Sequence, residues 1–314
     1  MPEQRKFAVA VSFVALCVIW SSTWIAIKWG LQDLPPISFA AIRFLIAIVG
    51  LLAVSIGRVP LLPRNRGDWL ILAFTGVVMF AVNYGLLFWG ELHVSSGLAA
   101  VLQAIIPVAG MIFAHWLLPS EPMRWQRVVG ALLAVVGVTL ICGRLLDNGG
   151  MLTFWAGLGI VIGGAGAAFS NVLLKRRALE VAPAIIAAWQ MIFGTIPLLA
   201  FGLMHDGNPL RFHWSLLAIA CLFYLAIIGS ALAFLLLYWL LPRMPVNNLQ
   251  TISLITPPGA VAIGWFFGGE TFSLWSLVGG ALVLAGVWMI FRRLEPPRQP
   301  AETRECLKTA LPRG

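Results

Sequence analysis

Ten long apolar segments follow one another along this chain, separated by short breaks rich in proline, glycine, aspartate and asparagine. Each is long enough to cross a bilayer, because a helix rises about 1.5 Å per residue and the hydrocarbon core is roughly 30 Å thick. Only 11% of the residues are charged, whereas soluble domains carry about 25%. The sequence therefore predicts an all-α membrane protein with ten transmembrane helices, at residues 7–30, 36–57, 68–89, 93–118, 124–143, 153–174, 183–204, 214–240, 246–268 and 273–292.

The basic residues predict the orientation of the chain. Of the 21 lysines and arginines, 17 lie in the two tails and in every second loop, three lie in the opposite loops, and Arg43 lies within the second segment. Because positively charged loops stay on the cytoplasmic side, we expect a multi-pass protein of the cell inner membrane with both termini cytoplasmic. The net charge of +9 suits an anionic lipid surface, and no basic stripe indicates a nucleic-acid partner.

The two halves of the sequence match at an offset of 149 residues. Each half holds five segments, an odd number, so that matching helices would cross the membrane in opposite directions. This predicts two inverted five-helix units, residues 1–145 and 150–292, around a central cavity, with a cytoplasmic tail at 293–314. Inverted repeats are typical of secondary transporters, and chance similarity of glycine-rich apolar helices is the alternative. The matched pairs are Trp116 with Trp265, Glu121 with Glu270, Gly130 with Gly279, and Gly137 with Gly286.

Proline interrupts corresponding segments of the two halves, the fourth at Pro107 and the ninth at Pro257 and Pro258. Proline frees the carbonyl four residues earlier, and a free carbonyl at membrane depth is tolerated only inside protein or beside a wet cavity. These prolines are therefore candidate hinges in a substrate wall, and packing kinks are the alternative.

Polar side chains recur at similar depth in several segments. Polar groups are costly in hydrocarbon and should face the bundle interior, although serine and threonine often bond only to their own helix. Glycines 159, 163, 164 and 166 also predict close packing of the sixth helix. The candidate substrate-binding residues are Trp20, Ser21, Ser22, Arg43, Asn83, Tyr84, Gln103, Ser170, Asn171, Trp189, Gln190, Tyr238 and Gln250.

Charged residues inside the segments are few. Arg43 lies about 10 Å below the predicted outer face, where it could bind a substrate carboxylate or could snorkel outward. No aspartate or glutamate lies deep in a predicted segment, since Glu91, Glu121, Asp206 and Glu270 fall at ends or in loops. The sequence thus gives no support for proton coupling and favours downhill flux.

No sequence motif indicates catalysis or a bound cofactor. We find no zinc-protease motif, nucleophile elbow, phosphate-binding loop or dinucleotide fingerprint. The four cysteines form no metal-ligand spacing, and three lie in apolar segments. We therefore expect no enzymatic activity, no catalytic residues, no cofactor and no metal. The sequence leaves the oligomeric state open, a monomer included.

The chain resembles the drug/metabolite transporter superfamily, in particular its ten-helix EamA-type permeases. The resemblance rests on Trp20-Ser21-Ser22-Thr23, on Arg43-Phe44, and on half-repeats ending in Pro107…Glu121 and Pro257…Glu270. It implies a basket of helices around a central cavity and export of metabolites, and it is nearest to bacterial inner-membrane exporters of neutral and aromatic amino acids. The chain departs from strict symmetry where Thr256 matches Pro107 and where Gln190 stands near the repeat position of Arg43.

Several functions remain open on the sequence alone. The first is export of neutral or aromatic amino acids by alternating access or facilitated diffusion. Others are transport of a drug or a nucleotide derivative, a channel, and a membrane enzyme acting on lipid. The phosphorylated solutes are disfavoured because Arg43 is the single cation deep within a segment, and the enzyme because no nucleophile and base share one depth.

Overall fold

The computed structural model describes residues 3–55, 63, 65–117, 125–177, 183–240, 243 and 252–291, and these residues form helices without a strand. Eight helical stretches in this part are long and apolar enough to cross a membrane, and Leu274–Met289 is a shorter apolar helix. The predicted all-helical membrane fold is confirmed, while the number of ten crossings stays a prediction. The helices are α1 Glu3–Gly30, α2 Pro36–Ser55, α3 Arg66–Glu91, α4 Ser96–Leu117, α5 and α6 within Trp125–Arg177, α7 Pro183–His205, α8 at 216–240, α9 Ile252–Gly268 and α10 Leu274–Phe291.

The lipid-facing surface is apolar, as the segment composition requires. On α1 the exposed residues Phe7, Val11, Val14 and Val18 are three or four apart, which places them on one face of the helix. The opposite face packs into the bundle through Leu16, which is fully buried. Lipid can solvate the first face, and neighbouring helices cover the second.

Gly150 separates α5 from α6. Its φ of 72° and ψ of −172° interrupt an otherwise continuous helical run, and glycine adopts this conformation without the steric cost that other residues incur. The break lies between the predicted segments 124–143 and 153–174. Other observed ends differ from the predicted ones by a few residues, as at α3, which spans Arg66–Glu91 where residues 68–89 were predicted.

Two helices contain a π-helical segment, Val77–Asn83 in α3 and Tyr224–Leu232 in α8. A shift of 149 residues carries the first segment onto residues 226–232, inside the second. A π-turn holds one residue more than an α-turn and often lies at a functional site. Each π-helical segment places a polar side chain in the bundle interior, where Asn83 and Ser230 are buried.

Helices α5 and α10 cross with their backbones in contact. A Cβ on Gly137 would lie 2.5 Å from the carbonyl oxygen of Gly279, and one on Gly286 would meet the carbonyl oxygen of Gly130. Gly130 is thus paired with Gly286, and Gly137 with Gly279. Residue numbers rise along α5 where they fall along α10, so the two helices run antiparallel. Only glycine allows so close an approach.

Polar contacts join the loops at the end of the bundle where α1 ends, which we call the Lys28 end. The carboxylate of Asp206 accepts a hydrogen bond from the backbone N–H of Ser38 at 2.8 Å, near the start of α2. A carboxylate at a helix N-terminus is favoured by the helix dipole. Nearby, the hydroxyl of Ser215 and the ring of His213 bind the carboxylate of Asp33, and these contacts hold the pKa of Asp33 below its ordinary value.

Candidate functional site

Arg43 is the centre of a buried polar and aromatic cluster between α2, α3 and α8. The side chain is 3% exposed, and its Nε donates to Ser230 Oγ at 3.0 Å. The guanidinium carbon lies 5.3 Å from the ring centres of Phe44 and Tyr84 and 5.8 Å from that of Phe88, within the range of cation–π attraction. Nη1 is enclosed and has no hydrogen-bond partner among the described residues. The arginine therefore keeps one donor available for an oxygen of a bound molecule.

The π-segment of α8 supplies two polar groups to this region. Ser230 bonds to Arg43, and the hydroxyl of Tyr224 lies 2.6 Å from Ser22 Oγ on α1. Ser22 also donates to carbonyls of its own helix at 2.8 and 2.9 Å, from Val18 and Ile19. Sequence reasoning missed both partners on α8. Tyr224 could have been found as one of three tyrosines in the chain, whereas a single serine in an apolar helix carries no such signal.

An aromatic layer connects the predicted residues of α1 and α3. The Trp20 ring packs edge-on against Phe234 with centroids 6.3 Å apart. Phe234 in turn contacts Phe80 at 6.2 Å, and Phe80 stacks on Tyr84 at 5.9 Å. Two intervening rings therefore link Trp20 to Tyr84, which lies against Arg43.

A second polar pair joins α3 to α4. Gln103 Nε2 donates to Asn83 Oδ1 at 2.9 Å, and both residues are buried. Helix α6 covers this pair with glycines, since a Cβ on Gly163 or Gly164 would lie about 3.0 Å from the amide oxygens of Asn83 and Gln103 respectively. The predicted close packing of the sixth helix is confirmed here.

The Asn83–Gln103 pair should behave as one energetic unit. We expect Asn83→Ala and Gln103→Ala to destabilise the protein less in combination than the sum of the two single changes, with a coupling of about 0.5–1.5 kcal/mol, because the first change already leaves its partner amide unpaired. Unfolding in detergent of the four proteins of the cycle measures it. As the control, Asn83→Ala combined with Gln190→Ala should be additive, since Gln190 bonds elsewhere.

A third polar contact lies where α3 crosses α7. Gln190 Nε2 donates to Thr75 Oγ1 at 3.0 Å, inside the protein. Gly76 permits the crossing, because a Cβ there would lie 2.5 Å from the Gln190 carbonyl oxygen. The Trp189 ring packs edge-on against Trp69 at 4.6 Å. Gln190 and Trp189 thus form the α3–α7 interface and lie apart from the contacts of Arg43.

The remaining predicted residues lie in different surroundings. Ser21 is buried between α1 and α9, and its hydroxyl donates to the Thr256 carbonyl at 3.3 Å. Ser170 is fully buried, and its hydroxyl finds no partner in the described part of the chain. Asn171, the next residue, is exposed. Gln250 and the side chain of Tyr238 lie outside the described residues.

The candidate hinge prolines differ from each other. Helix α4 is interrupted by a turn at Ala104, three residues before Pro107, as a proline in a helix requires. By contrast, α9 continues through Pro257 and Pro258 from Ile252 to Gly268. In the described part of the ninth segment both prolines lie inside a continuous helix, and their role as hinges stays a prediction.

One of the four acids that the sequence places at segment ends or in loops is nevertheless buried. Glu91, the last residue of α3, is fully buried at the Lys28 end. The Lys28 ammonium donates to the backbone carbonyls of Glu91 and of Val94, the latter at 3.0 Å. The sequence places Glu91 between two predicted segments and predicts no burial for it. Its burial depends on distant residues that cover it, which no local pattern reveals.

No group of three or more histidine, cysteine, aspartate or glutamate side chains that could hold a metal ion comes together within the described ranges. Cys17, Cys142 and Cys221 are separate, buried and free. The chemistry that this interior offers is therefore hydrogen bonding, charge and aromatic surface.

The sequence model of the EamA-like transporter family matches residues 8–143 and again residues 154–292. The chain belongs to this family. The EamA-like chain is also 30% identical to the uncharacterized inner membrane transporter YedA of Escherichia coli, over 91% of this chain and 92% of that protein. It is 29% identical to a probable terminal-alkyne amino-acid exporter of Streptantibioticus cattleyicolor, over 95% and 98% of the two chains.

A protein of known crystal structure shares the fold of this EamA-like protein. The two superpose with a TM-score of 0.63 at 18% sequence identity, over 91% of this chain and 99% of the other. This likeness supports the helical architecture alone. Together, the family match and the named inner membrane relatives identify a multi-pass membrane transporter.

Proposed function

We propose that this EamA-like transporter exports small metabolites, with neutral and aromatic amino acids as its substrates. The observation that carries the proposal is the unpaired Nη1 of Arg43 within a shell of aromatic rings. A guanidinium donor is suited to a carboxylate oxygen, and the rings of Trp20, Tyr84 and Phe88 are suited to an apolar side chain. The related amino-acid exporter adds support for this substrate class.

We assign the binding roles to the buried residues around Arg43. Arg43 binds the carboxylate, and Tyr84, Tyr224 and Ser22 supply hydroxyl oxygens for an ammonium group. Asn83 and Gln103 hold α3 against α4 and present an amide edge to the same region. No residue has a catalytic role in this scheme, because the solute is moved and not altered.

Alternating access between inverted halves is the proposed mechanism. Three observations support it: the family matches the chain twice, α5 and α10 meet antiparallel through paired glycines, and the π-segments of α3 and α8 overlap at the repeat offset. Exchange of conformation between two such halves opens the cavity alternately to each side. We place both termini in the cytoplasm, so that the Lys28 end faces outward from the inner membrane.

Efflux from liposomes tests the substrate class. Purified protein in liposomes preloaded with labelled phenylalanine, leucine or threonine should release them faster than protein-free liposomes do, with rates that saturate. The panel should include a cationic dye and a nucleotide sugar, which represent the other solute classes. Absence of flux for every amino acid would exclude the proposed substrates, and flux that never saturates would indicate a channel.

A further inference from the structure

Glu91 is a buried acid that the proposed binding scheme does not use. Its residue is 0% exposed, and neither carboxylate oxygen has a hydrogen-bond partner in the part of the chain that the structure describes. It ends α3, three residues after Phe88, whose ring lies 5.8 Å from the Arg43 guanidinium. The acid is thus about one helical turn from the candidate site, on its Lys28 side.

The charged groups that act on Glu91 come from three other elements, and each is engaged elsewhere. Lys28 on α1 donates to the carbonyls of Glu91 and Val94. Arg43 on α2 donates to Ser230. Glu270, in the loop between α9 and α10, accepts from the backbone N–H groups of Ser96 at 2.7 Å and Gly97 at 3.1 Å.

Two further ionisable side chains lie on the same stretch of chain as Glu91. The His93 ring packs on Trp89 with centroids 5.6 Å apart, and the Tyr84 ring packs under Arg43. No hydrogen bond from either reaches the Glu91 carboxylate. Among the residues that the structure describes, the carboxylate therefore has charged neighbours but no hydrogen-bond donor.

The surroundings of Glu91 favour the neutral, protonated carboxyl group over the ionised carboxylate. An ionised carboxylate removed from water requires a paired charge and several donors, and in the described ranges no ion pair or hydrogen bond reaches this carboxylate. Binding a proton removes the charge and most of that cost. The Lys28 charge is compensated by backbone carbonyls, so it does not depend on an ionised Glu91.

We propose that Glu91 binds a proton when the Lys28 end is closed and releases it when that end opens to water. Opening would break the bonds of Lys28 to the α3–α4 turn and of Glu270 to the start of α4, and the ionised Glu91 would then face Lys28 in water. Closing would take one proton from the outer compartment onto a Glu91 carboxylate oxygen. The link to transport, although not the protonation itself, rests on the proposed function.

Infrared spectroscopy of the full chain in lipid tests the protonation without a substrate. We expect the carbonyl stretch of a neutral carboxyl group to persist at neutral pH, to vanish in Glu91→Gln, and to remain in Glu270→Gln, the control acid at the same end. Glu91→Asp should shift the band, which keeps the assignment testable if the glutamine variant does not fold. Absence of the band in the unaltered protein, or its survival in Glu91→Gln, would overturn the proposal.

Flux measurements test the link to transport. Because acid favours the closed state, lowering the outer pH should slow amino-acid release by up to about tenfold per pH unit, the limit for one linked proton. Release by Glu91→Gln should not respond to the outer pH, while Glu270→Gln, which weakens the closed state, should change the release rate but keep a response to the outer pH. A release rate independent of outer pH in the unaltered protein would refute the link. If no amino acid moves at all, the proposed function fails while the infrared result still stands.

Discussion

Alanine at Gly286 should destabilise the protein by about 1–3 kcal/mol, the usual cost of overpacking a close contact. The new Cβ would meet the carbonyl oxygen of Gly130 and lie 2.7 Å from the backbone nitrogen of Ala134. Backbone atoms cannot turn aside as a side chain can, so α10 must move away from α5. Thermal or denaturant unfolding in detergent measures the loss.

Gly143→Ala is the matched control, because it makes the same change on α5 where nothing lies within 4 Å of the new Cβ. It should leave stability unchanged or raise it by up to about 1 kcal/mol, since alanine favours a helix more than glycine does. Gly137→Ala, the repeat partner of Gly286, should cost about as much as Gly286→Ala. Equal effects of Gly143→Ala and Gly286→Ala would contradict the backbone contact.

Replacing Arg43 by methionine should lower the rate of amino-acid export by roughly tenfold to a hundredfold, the effect of losing one hydrogen bond to a charged group. Methionine keeps a long apolar side chain against Phe44 and Phe88 but removes both the bond to Ser230 and the free Nη1. Arg43→Lys should recover little, because an ammonium lacks the planar fork that serves Ser230 and a carboxylate together. Initial efflux rates from liposomes measure the effect, with monodisperse elution showing that the variants fold.

Two controls separate substrate binding from loss of charge. Arg211→Met removes an exposed arginine from the loop between α7 and α8 and should leave export unchanged. An amino-acid amide, which lacks the carboxylate, should move equally slowly through the unaltered protein and through Arg43→Met. If Arg43→Met exports the free amino acid at the original rate, Arg43 does not bind the carboxylate.

The helices were predictable because a segment in lipid must satisfy its backbone hydrogen bonds internally. Apolar length therefore indicates a helix, and the break at Gly150 fell where glycine and polar residues cluster. Burial of Arg43, Asn83, Gln103 and Gln190 was predictable for a related reason, since such groups are costly in hydrocarbon. The partners of these four side chains, which form three separate contacts, were not predictable, because they depend on which helices cross.

The π-segments limited prediction of the candidate site. An extra residue in a turn rotates everything that follows it around the helix axis, and no residue type marks where this happens. Ser230 faces Arg43 from such a segment, and counting by ordinary helical periodicity does not place it there. Glu91 shows a second limit, because a residue at the end of a helix is exposed or buried according to loops that are distant in sequence.

The contact between α5 and α10 also restricts how the protein can move. Where two backbones touch, no change of rotamer relieves the contact, so we expect any relative motion of the two predicted halves to pivot about that crossing. Displacement in a rotation grows with distance from the pivot. Helices α2 and α7 pack on each other and belong to opposite predicted halves, so such a rotation would shift one against the other, and α2 would carry Arg43 with it.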